Sequence, residues 1–266
     1  MDGIELNLRR IGRDEYPELS EYSDSDIWKE IGPGGLYLAT NMARLLNLKK
    51  GELVLDLGCG KGETSIFLTE HYGANVIAVD LLTNVNYLHR KFSERGYRSI
   101  IPLNLDASKP LPFAENCFDA IFCMNSLSFF AGNVENLTRL FSHLKKDRIL
   151  CVGGETLSEE FTSEQLENPP KVYNFAENVW KEDFVKLHSP KWWNRLFNET
   201  EGVKVLSWGE LPNGRIMYED HIQHFQSDGY FGLDSKQAYE LELRQIKYGR
   251  VHRPYMTIFT LAAQKK

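Results

Sequence analysis

The stretch that most constrains this fold is residues 53–62, an apolar run with one acid followed by three glycines within five positions. Leu53–Leu57 has the composition of a buried parallel strand. Residues 63–68 then have helix-compatible spacing, which predicts a strand, a tight glycine turn and a helix. A purely structural turn is the alternative. Three closely spaced glycines weaken such a turn, so we expect a ligand to lie against its backbone.

The residues around the glycines favour a cationic ligand. The dinucleotide fingerprint G-x-G-x-x-G would need its third glycine at position 63, which is Glu63. A carboxylate at a helix start disfavours a pyrophosphate there, and Asp56 adds a second negative charge. The pattern D-x-G-x-G-x-G resembles motif I of the class I S-adenosylmethionine (SAM)-dependent methyltransferases. This resemblance implies SAM as cofactor, contacted by Asp56, Gly58, Cys59 and Gly60.

Acids also follow the next two predicted strands. Residues 74–80 end on Asp80, with Leu81 after it, and residues 100–106 end on Asp106. The carboxyl edge of parallel strands is where open α/β sheets bind ligands, and a carboxylate there accepts hydrogen bonds from ribose hydroxyls. Asp80 could instead cap a helix. By resemblance to the family, Asp106 and Ala107 contact the adenine.

Residues 31–35 form a Gly-Pro-rich turn before a predicted helix over 36–48. Taken alone, this turn would only start a helix. Together with the glycine stretch it is similar to small-molecule methyltransferases of the phosphoethanolamine, sarcosine/dimethylglycine and cyclopropane-fatty-acid type. The resemblance implies that Gly34 and Gly35 contact the methionine end of the cofactor, with Tyr37 a weaker candidate.

Residues after strands four and five are the candidates for the acceptor side. Asn125 begins a loop that has neither the Asn-Pro-Pro-Tyr type of clamp found in DNA amino-methyltransferases nor a His-His or Tyr-His pair. We name Asn125, Glu155 and His188 as candidate catalytic residues, with Tyr22 as a further acceptor contact and Asn125 also as a cofactor contact. Glu155 could bind a cationic acceptor, take its proton, or cap the next segment.

The order of the elements predicts an α/β fold with a doubly wound, mostly parallel, seven-stranded Rossmann-like sheet and an inserted helical cap. Residues 1–30 are expected to be an N-terminal arm or lid, with a loose arm or an added helix as equally compatible alternatives. Residues 31–266 would be the methyltransferase domain, with cap insertions at about 156–200 and 212–250.

Composition limits the partners. The formal net charge is −6 and the pI about 5.7, without the basic footprint of a nucleic-acid binder. No apolar run reaches the ~18 residues of a membrane span, and no signal peptide is recognisable, so we expect a cytoplasmic protein. Four scattered cysteines predict neither disulfides nor structural zinc. His221 and His224 lack an identified third ligand, so we expect no metal; a homodimer is left open.

We therefore expect methyl transfer from SAM to a small-molecule acceptor by in-line displacement. The leaving group is neutral, so alignment and exclusion of water would be the main tasks of the enzyme. A SAM-binding module without catalysis is one alternative. A nicotinamide-dependent oxidoreductase is another, disfavoured by Glu63 and Asp56.

Overall fold

A single seven-stranded sheet organises the chain. The computed structural model describes residues 8–168, 187–224, 235–250 and 255–266. The sheet order is β3-β2-β1-β4-β5-β7-β6; β7 is antiparallel to both neighbours and the other described pairs are parallel. This confirms the predicted fold class. The strands are β1 Leu53–Leu57, β2 Asn75–Asp80, β3 Ile100–Asn104, β4 Phe118–Met124, β5 Leu144–Leu157, β6 Val203–Glu210 and β7 Met256–Lys265.

Helices cover both faces of this sheet. They are α1 Asp24–Trp28, α2 Gly35–Leu46, α3 Glu63–Tyr72, α4 Val85–Glu94, α5 Val134–His143, α6 Ser163–Glu167, α7 Pro190–Glu199, α8 Gly214–Gln223 and α9 Ser235–Gly249. None of these helices has the length and apolarity to cross a membrane.

Two hydrophobic clusters lie on opposite sides of the sheet. Val54 belongs to the cluster that contains α2, α3 and α4, whereas its neighbour Leu55 belongs to the cluster that contains α5 and α7. Successive side chains of a strand point to opposite faces, so an uninterrupted apolar run in β1 supplies both clusters. β1 is therefore packed on both of its faces, so the glycine loop that follows it starts from a fixed position.

Several element boundaries differ from the predicted ones. β3 ends at Asn104, so Asp106 lies in the following loop, and β5 continues past Glu155 to Leu157 because it pairs along its length with β7. α5 begins at Val134 because the side chain of Asn133 accepts a hydrogen bond from the Asn136 N–H.

The described part of the N-terminal segment packs against the body of the protein. It contains a 3₁₀ turn at Pro17–Leu19 and the short helix α1, and Leu19, Ile27 and Trp28 are buried in the cluster around α2. A loose arm does not fit this packing. The role of the segment as a lid stays a prediction.

The two expected insertions are only partly described. Residues 169–186 and 225–234 lie outside the described residues. Within the second insertion, α8 packs against β7, and the carboxylate of Glu219 accepts hydrogen bonds from Arg9 and Arg250. This buried carboxylate therefore ties the insertion to the N-terminal segment.

Candidate functional site

A cavity of about 520 Å³ lies at the carboxyl ends of the four parallel strands β1 to β4. Its walls come from the glycine loop after β1, the end of β2, the loops after β3 and β4, and the segment that precedes α2. This volume is within the range of small-molecule sites, and the position is the usual one for open α/β sheets.

The glycine loop can approach both a ligand and the neighbouring strand because it lacks side chains. Gly58 has φ +78°, and a Cβ there would lie 2.2 Å from Ser126 Oγ. Gly60 has φ +52°, and a Cβ there would meet no protein atom within 4 Å. Gly58 is thus required by packing between the loops after β1 and β4, whereas Gly60 leaves open space at the cavity wall.

Asp80 is fixed at the end of β2 by backbone donors. One carboxylate oxygen accepts the Gly60 N–H at 2.9 Å, and the other accepts the N–H groups of Leu82 and Thr83 at 2.9 and 2.7 Å. These bonds orient the carboxylate between the glycine loop and the start of the next turn. Carboxylate oxygens have further lone pairs, so Asp80 can also accept from a ligand diol.

The structure brings together eight of the residues predicted from the sequence as cofactor contacts. They line one cavity: Gly58, Cys59, Gly60, Asp80, Leu81, Asp106, Ala107 and Asn125. Burial raises the pKa of the Cys59 thiol, which keeps it neutral and makes it a wall of the cavity rather than a nucleophile.

Asn125 has its side-chain amide engaged by the protein on both sides. Its Nδ2 donates to the Pro33 carbonyl at 2.9 Å, and its Oδ1 accepts the Glu155 N–H at 3.2 Å. The residue also has φ +54°, a conformation that Asn tolerates better than most residues. Asn125 therefore joins the loop before α2 to β5 and shapes the cavity wall, and an amide cannot serve as a general base.

Asp56 lies beneath the glycine loop and does not line the cavity. Its carboxylate is 1 % exposed, and Oδ2 accepts the hydroxyls of Thr64 and Ser65, each at 2.6 Å. Oδ1 has no hydrogen-bond partner among the described residues. Burial, with a smaller contribution from the charge of Asp80, raises the pKa of Asp56 to about 6. The residue thus anchors the start of α3 rather than touching the cavity.

Gly35 also lies away from the cavity. A Cβ at Gly35 would lie 2.6 Å from the ring of Trp28, so this glycine serves the contact between α1 and α2. Gly32, three residues earlier, lines the cavity instead. The Gly-Pro-rich turn does reach the cavity, but through Gly32, whereas the predicted Gly34 and Gly35 are not among the lining residues.

Glu155 and His188 are likewise not part of the cavity wall. Glu155 sits within β5 opposite Ile258 of β7. His188 Nδ1 lies 3.0 Å from Glu160 Oε2, and its ring stacks on Trp192 with 3.6 Å between the ring centroids. Tyr22 donates its hydroxyl to Glu70 on α3. The structure therefore does not join these candidates to Asn125 as one catalytic group.

Two further acids line the cavity that were not predicted from the sequence as cofactor contacts. Glu30 comes from the N-terminal segment and Glu63 is the first residue of α3. Both accept hydrogen bonds from the buried ammonium of Lys91 on α4, at 2.9 and 2.7 Å. With Asp80 and Asp106 they are the charged residues of the cavity wall within the described part of the chain, where no Lys, Arg or His lines the cavity. The mismatch of Glu63 with the dinucleotide fingerprint was the available signal.

His221 and His224 are part of an aromatic cluster. Their rings both lie 5.7 Å from that of Trp28 between centroids, and His224 is parallel to it. Among the residues that the structure describes, no group of three or more His, Cys, Asp or Glu is placed to hold a metal ion.

Comparisons with known proteins agree with this geometry. Residues 54–147, which include the glycine loop, match the family described as methyltransferase domain. The chain is 24 % identical over 131 residues to phosphoethanolamine N-methyltransferase 1 of Zea mays, covering 49 % of the chain and 25 % of that protein. It is 25 % identical over 146 residues to sarcosine/dimethylglycine N-methyltransferase of Aphanothece halophytica, covering 54 % and 48 %.

Solved structures show the same fold. Phosphoethanolamine N-methyltransferase 2 of Haemonchus contortus, in complex with S-adenosyl-L-methionine, superimposes with a TM-score of 0.68 at 18 % identity, covering 96 % of this chain and 60 % of that one. Geranyl diphosphate C-methyltransferase of Streptomyces coelicolor A3(2) gives a TM-score of 0.66 at 15 % identity, covering 100 % and 90 %. The chain spans about a quarter to a third of the length of the first curated relatives it matches.

Proposed function

We propose that this protein transfers a methyl group from SAM to a small-molecule acceptor. The observation that carries the proposal is the position of Asp80: it ends β2, is hydrogen-bonded to Gly60 of the glycine loop, and faces a cavity whose charged wall residues, among those that the structure describes, are all acidic. This arrangement suits a ligand with a ribose diol and a net positive charge.

The cavity residues fit the parts of SAM. Asp80 would accept the ribose hydroxyls, the loop with Asp106 and Ala107 would contact the adenine, and the backbone at Gly58 and Gly60 would lie along the methionine part. The acids Glu30 and Glu63 complement its positive charge. A dinucleotide pyrophosphate fits less well, because Glu63 occupies the first turn of α3, where an anion would have to bind.

When bound, SAM supplies an electrophilic methyl group on a positively charged sulfur. The protein's own residues then have to align the acceptor and keep water out, because a neutral thioether leaves without needing a proton. We infer that Asn125 serves this alignment as a positioning residue, since it fixes the loop before α2 against β5. A neutral amine acceptor would need little assistance from a base.

Amines are the first acceptors to test, because curated relatives are named for phosphoethanolamine and for sarcosine and dimethylglycine. The proposed compartment is the cytoplasm, and its support is that all four cysteines are free thiols. A homodimer stays a prediction.

Calorimetric titration with SAM, S-adenosylhomocysteine and NAD tests the cofactor. Wild type should bind both sulfur ligands and not NAD, and Asp80→Ala should weaken both at least about tenfold, because charged hydrogen bonds contribute about 1.5–3 kcal/mol. Asp119→Asn is the matched control, since this acid pairs with Lys145 at the opposite end of β4. A folded wild type that binds neither sulfur ligand would refute the proposal.

Transfer itself is tested with SAM carrying a radiolabelled methyl group. Label should move to one or more of phosphoethanolamine, sarcosine and dimethylglycine, or to a phenol, thiol or quinol in a wider screen. If SAM binds but no acceptor is labelled, the chain is a SAM-binding module without catalysis. That result would refute the catalytic half of the proposal alone.

A further inference from the structure

Lys91 is an ammonium buried next to the cavity without being part of its wall. The residue lies on α4 with 7 % of its side chain exposed. Its Nζ donates to three oxygens: Glu30 Oε2 at 2.9 Å, Glu63 Oε1 at 2.7 Å and the Lys61 carbonyl at 2.8 Å. All three donors of the ammonium are thereby used.

These bonds join three separate parts of the chain. Glu30 belongs to the N-terminal segment, Lys61 to the glycine loop, and Glu63 to the first turn of α3. Burial lowers the pKa of Lys91, but the hydrogen bonds to the two carboxylates outweigh it and leave the pKa above its ordinary value. Burial raises the pKa of Glu30, but its hydrogen bond with Lys91 and the charge of Lys91 outweigh this effect and leave the pKa below its ordinary value. Lys91 and Glu30 therefore both stay charged, and Lys91 also contacts Glu63 at 2.7 Å.

Two members of the cluster face the cavity. Glu30 and Glu63 line it, whereas Lys91 does not. Without the ammonium the two carboxylates would repel each other, and Glu30 would lose its 2.9 Å hydrogen bond and keep the longer 3.4 Å contacts with Tyr87 and Lys61. Its conformation, with φ +52°, is one that a non-glycine residue keeps only where other contacts hold it.

We propose that Lys91 is a positioning residue for cofactor binding: it holds Glu30 and Glu63 together so that both carboxylates face the charged amino-acid end of SAM. This inference rests on the proposed function, because it takes SAM as the ligand. The cluster carries one net negative charge before the nearby Lys61 ammonium, 3.4 Å from Glu30, is considered. With Lys61 counted, the four side chains are neutral overall, so the cluster attracts a cation through its carboxylate oxygens, whose further lone pairs can still accept from the ammonium of SAM.

Three probes separate this role from a general effect on structure. SAM and S-adenosylhomocysteine both carry the amino-acid end. 5′-Methylthioadenosine has the nucleoside and the sulfur but lacks that end. Lys91→Met should weaken the binding of SAM and S-adenosylhomocysteine about tenfold or more, because their amino-acid end meets the cluster. The affinity for methylthioadenosine should stay within about twofold of wild type. Lys91→Arg keeps the charge and should recover most of the affinity.

Lys265 offers a matched control. Its Nζ also donates three hydrogen bonds, to Asn116, Ser142 and Leu144, at the far end of β7. Lys265→Met should leave the dissociation constants of all three probes unchanged. In a Glu30→Gln/Glu63→Gln background, Lys91→Met should have little further effect on SAM affinity, since the two carboxylates that Lys91 holds are no longer present.

The possible outcomes distinguish the role of Lys91 from the proposed function. Equal weakening of all three probes in Lys91→Met, or SAM affinity equal to that of wild type, would overturn the role of Lys91 while leaving the proposed function intact. If Lys91→Met does not fold, the Glu30→Gln/Glu63→Gln variant decides on the same SAM-to-methylthioadenosine ratio. Failure of wild type to bind SAM would refute the proposed function itself.

Discussion

The buried carboxyl of Asp56 should make the stability of this protein depend on pH in an unusual direction. The native pKa is about 6, against an ordinary value of 3.8, because burial disfavours the charged form more than Thr64 and Ser65 stabilise it. At about 1.4 kcal/mol per pKa unit, the ionised side chain lowers the free energy of unfolding by about 3 kcal/mol. Well below the unfolded value of 3.8 the side chain is protonated in both states, and this loss is absent.

Asp56→Asn isolates that contribution, because the amide does not titrate. Between pH 4 and pH 6 the native wild type binds more protons than the unfolded chain, so its stability falls as pH rises. The free energy of unfolding of wild type minus that of Asp56→Asn should therefore drop by about 2–2.5 kcal/mol from pH 4 to pH 7, because the unfolded side chain is already more than half ionised at pH 4. Any fixed cost of an unpaired amide group cancels in this pH difference. Urea denaturation at closely spaced pH values measures it.

Asp119→Asn is the control with the opposite sign. Burial raises the pKa of Asp119, but its hydrogen bonds with Lys145 and the Leu53 N–H outweigh this and leave the pKa below the ordinary value. The wild-type advantage over Asp119→Asn should be constant above about pH 5 and be lost as pH falls further. A wild type minus Asp56→Asn difference that stays within about 1 kcal/mol from pH 4 to pH 7 would refute the reasoning about Asp56.

Three further predictions concern stability. Gly58→Ala should lower the free energy of unfolding by about 2–5 kcal/mol, because φ is positive and the new Cβ would lie 2.2 Å from Ser126 Oγ. In a Ser126→Gly background the loss should be only about 1–2 kcal/mol, as measured by urea denaturation. Burial lowers the pKa of His221 to about 4, so the stability of wild type relative to His221→Gln should be lost as pH falls from about 6.5 to about 4; a flat difference would contradict this. Phe122→Ala should cost about 3–5 kcal/mol because the ring is fully buried, whereas Phe129→Ala, at a ring 66 % exposed, should change thermal stability little; equal losses would contradict this packing.

Much of the fold was predictable because its signals are local. The uninterrupted apolar run of β1, the glycines after it and the acid at the end of β2 lie within 28 residues and predict one edge of the sheet. Element ends were less predictable. β5 runs on to Leu157 because β7, a hundred residues away in the chain, pairs with it, and pairing at that distance leaves no mark in the local pattern.

The candidate site divides in the same way. Asp80 ends β2 and Asp106 and Ala107 lie in the loop after β3, and the structure places all three in the cavity wall. Gly35 and Asp56 were predicted from the family resemblance, and Glu155 from its place at the end of the predicted fifth strand. His188 was a candidate catalytic residue on the acceptor side. The structure places all four outside the cavity wall. Asp56 could not be judged from the sequence because its hydroxyl partners, Thr64 and Ser65, reach it only once α3 has folded back over β1.

The sequence by itself determined the order of strands and helices, the glycine loop and the acids at strand ends, since each depends on neighbours a few residues apart. Only the tertiary structure decided which acids face a ligand and which are buried as anchors. The cluster of Glu30, Lys91 and Glu63 shows the reason: its members are 28 to 61 residues apart, and a single ammonium brings them together. Burial and charge pairing act through space, so they become visible only when the chain is folded.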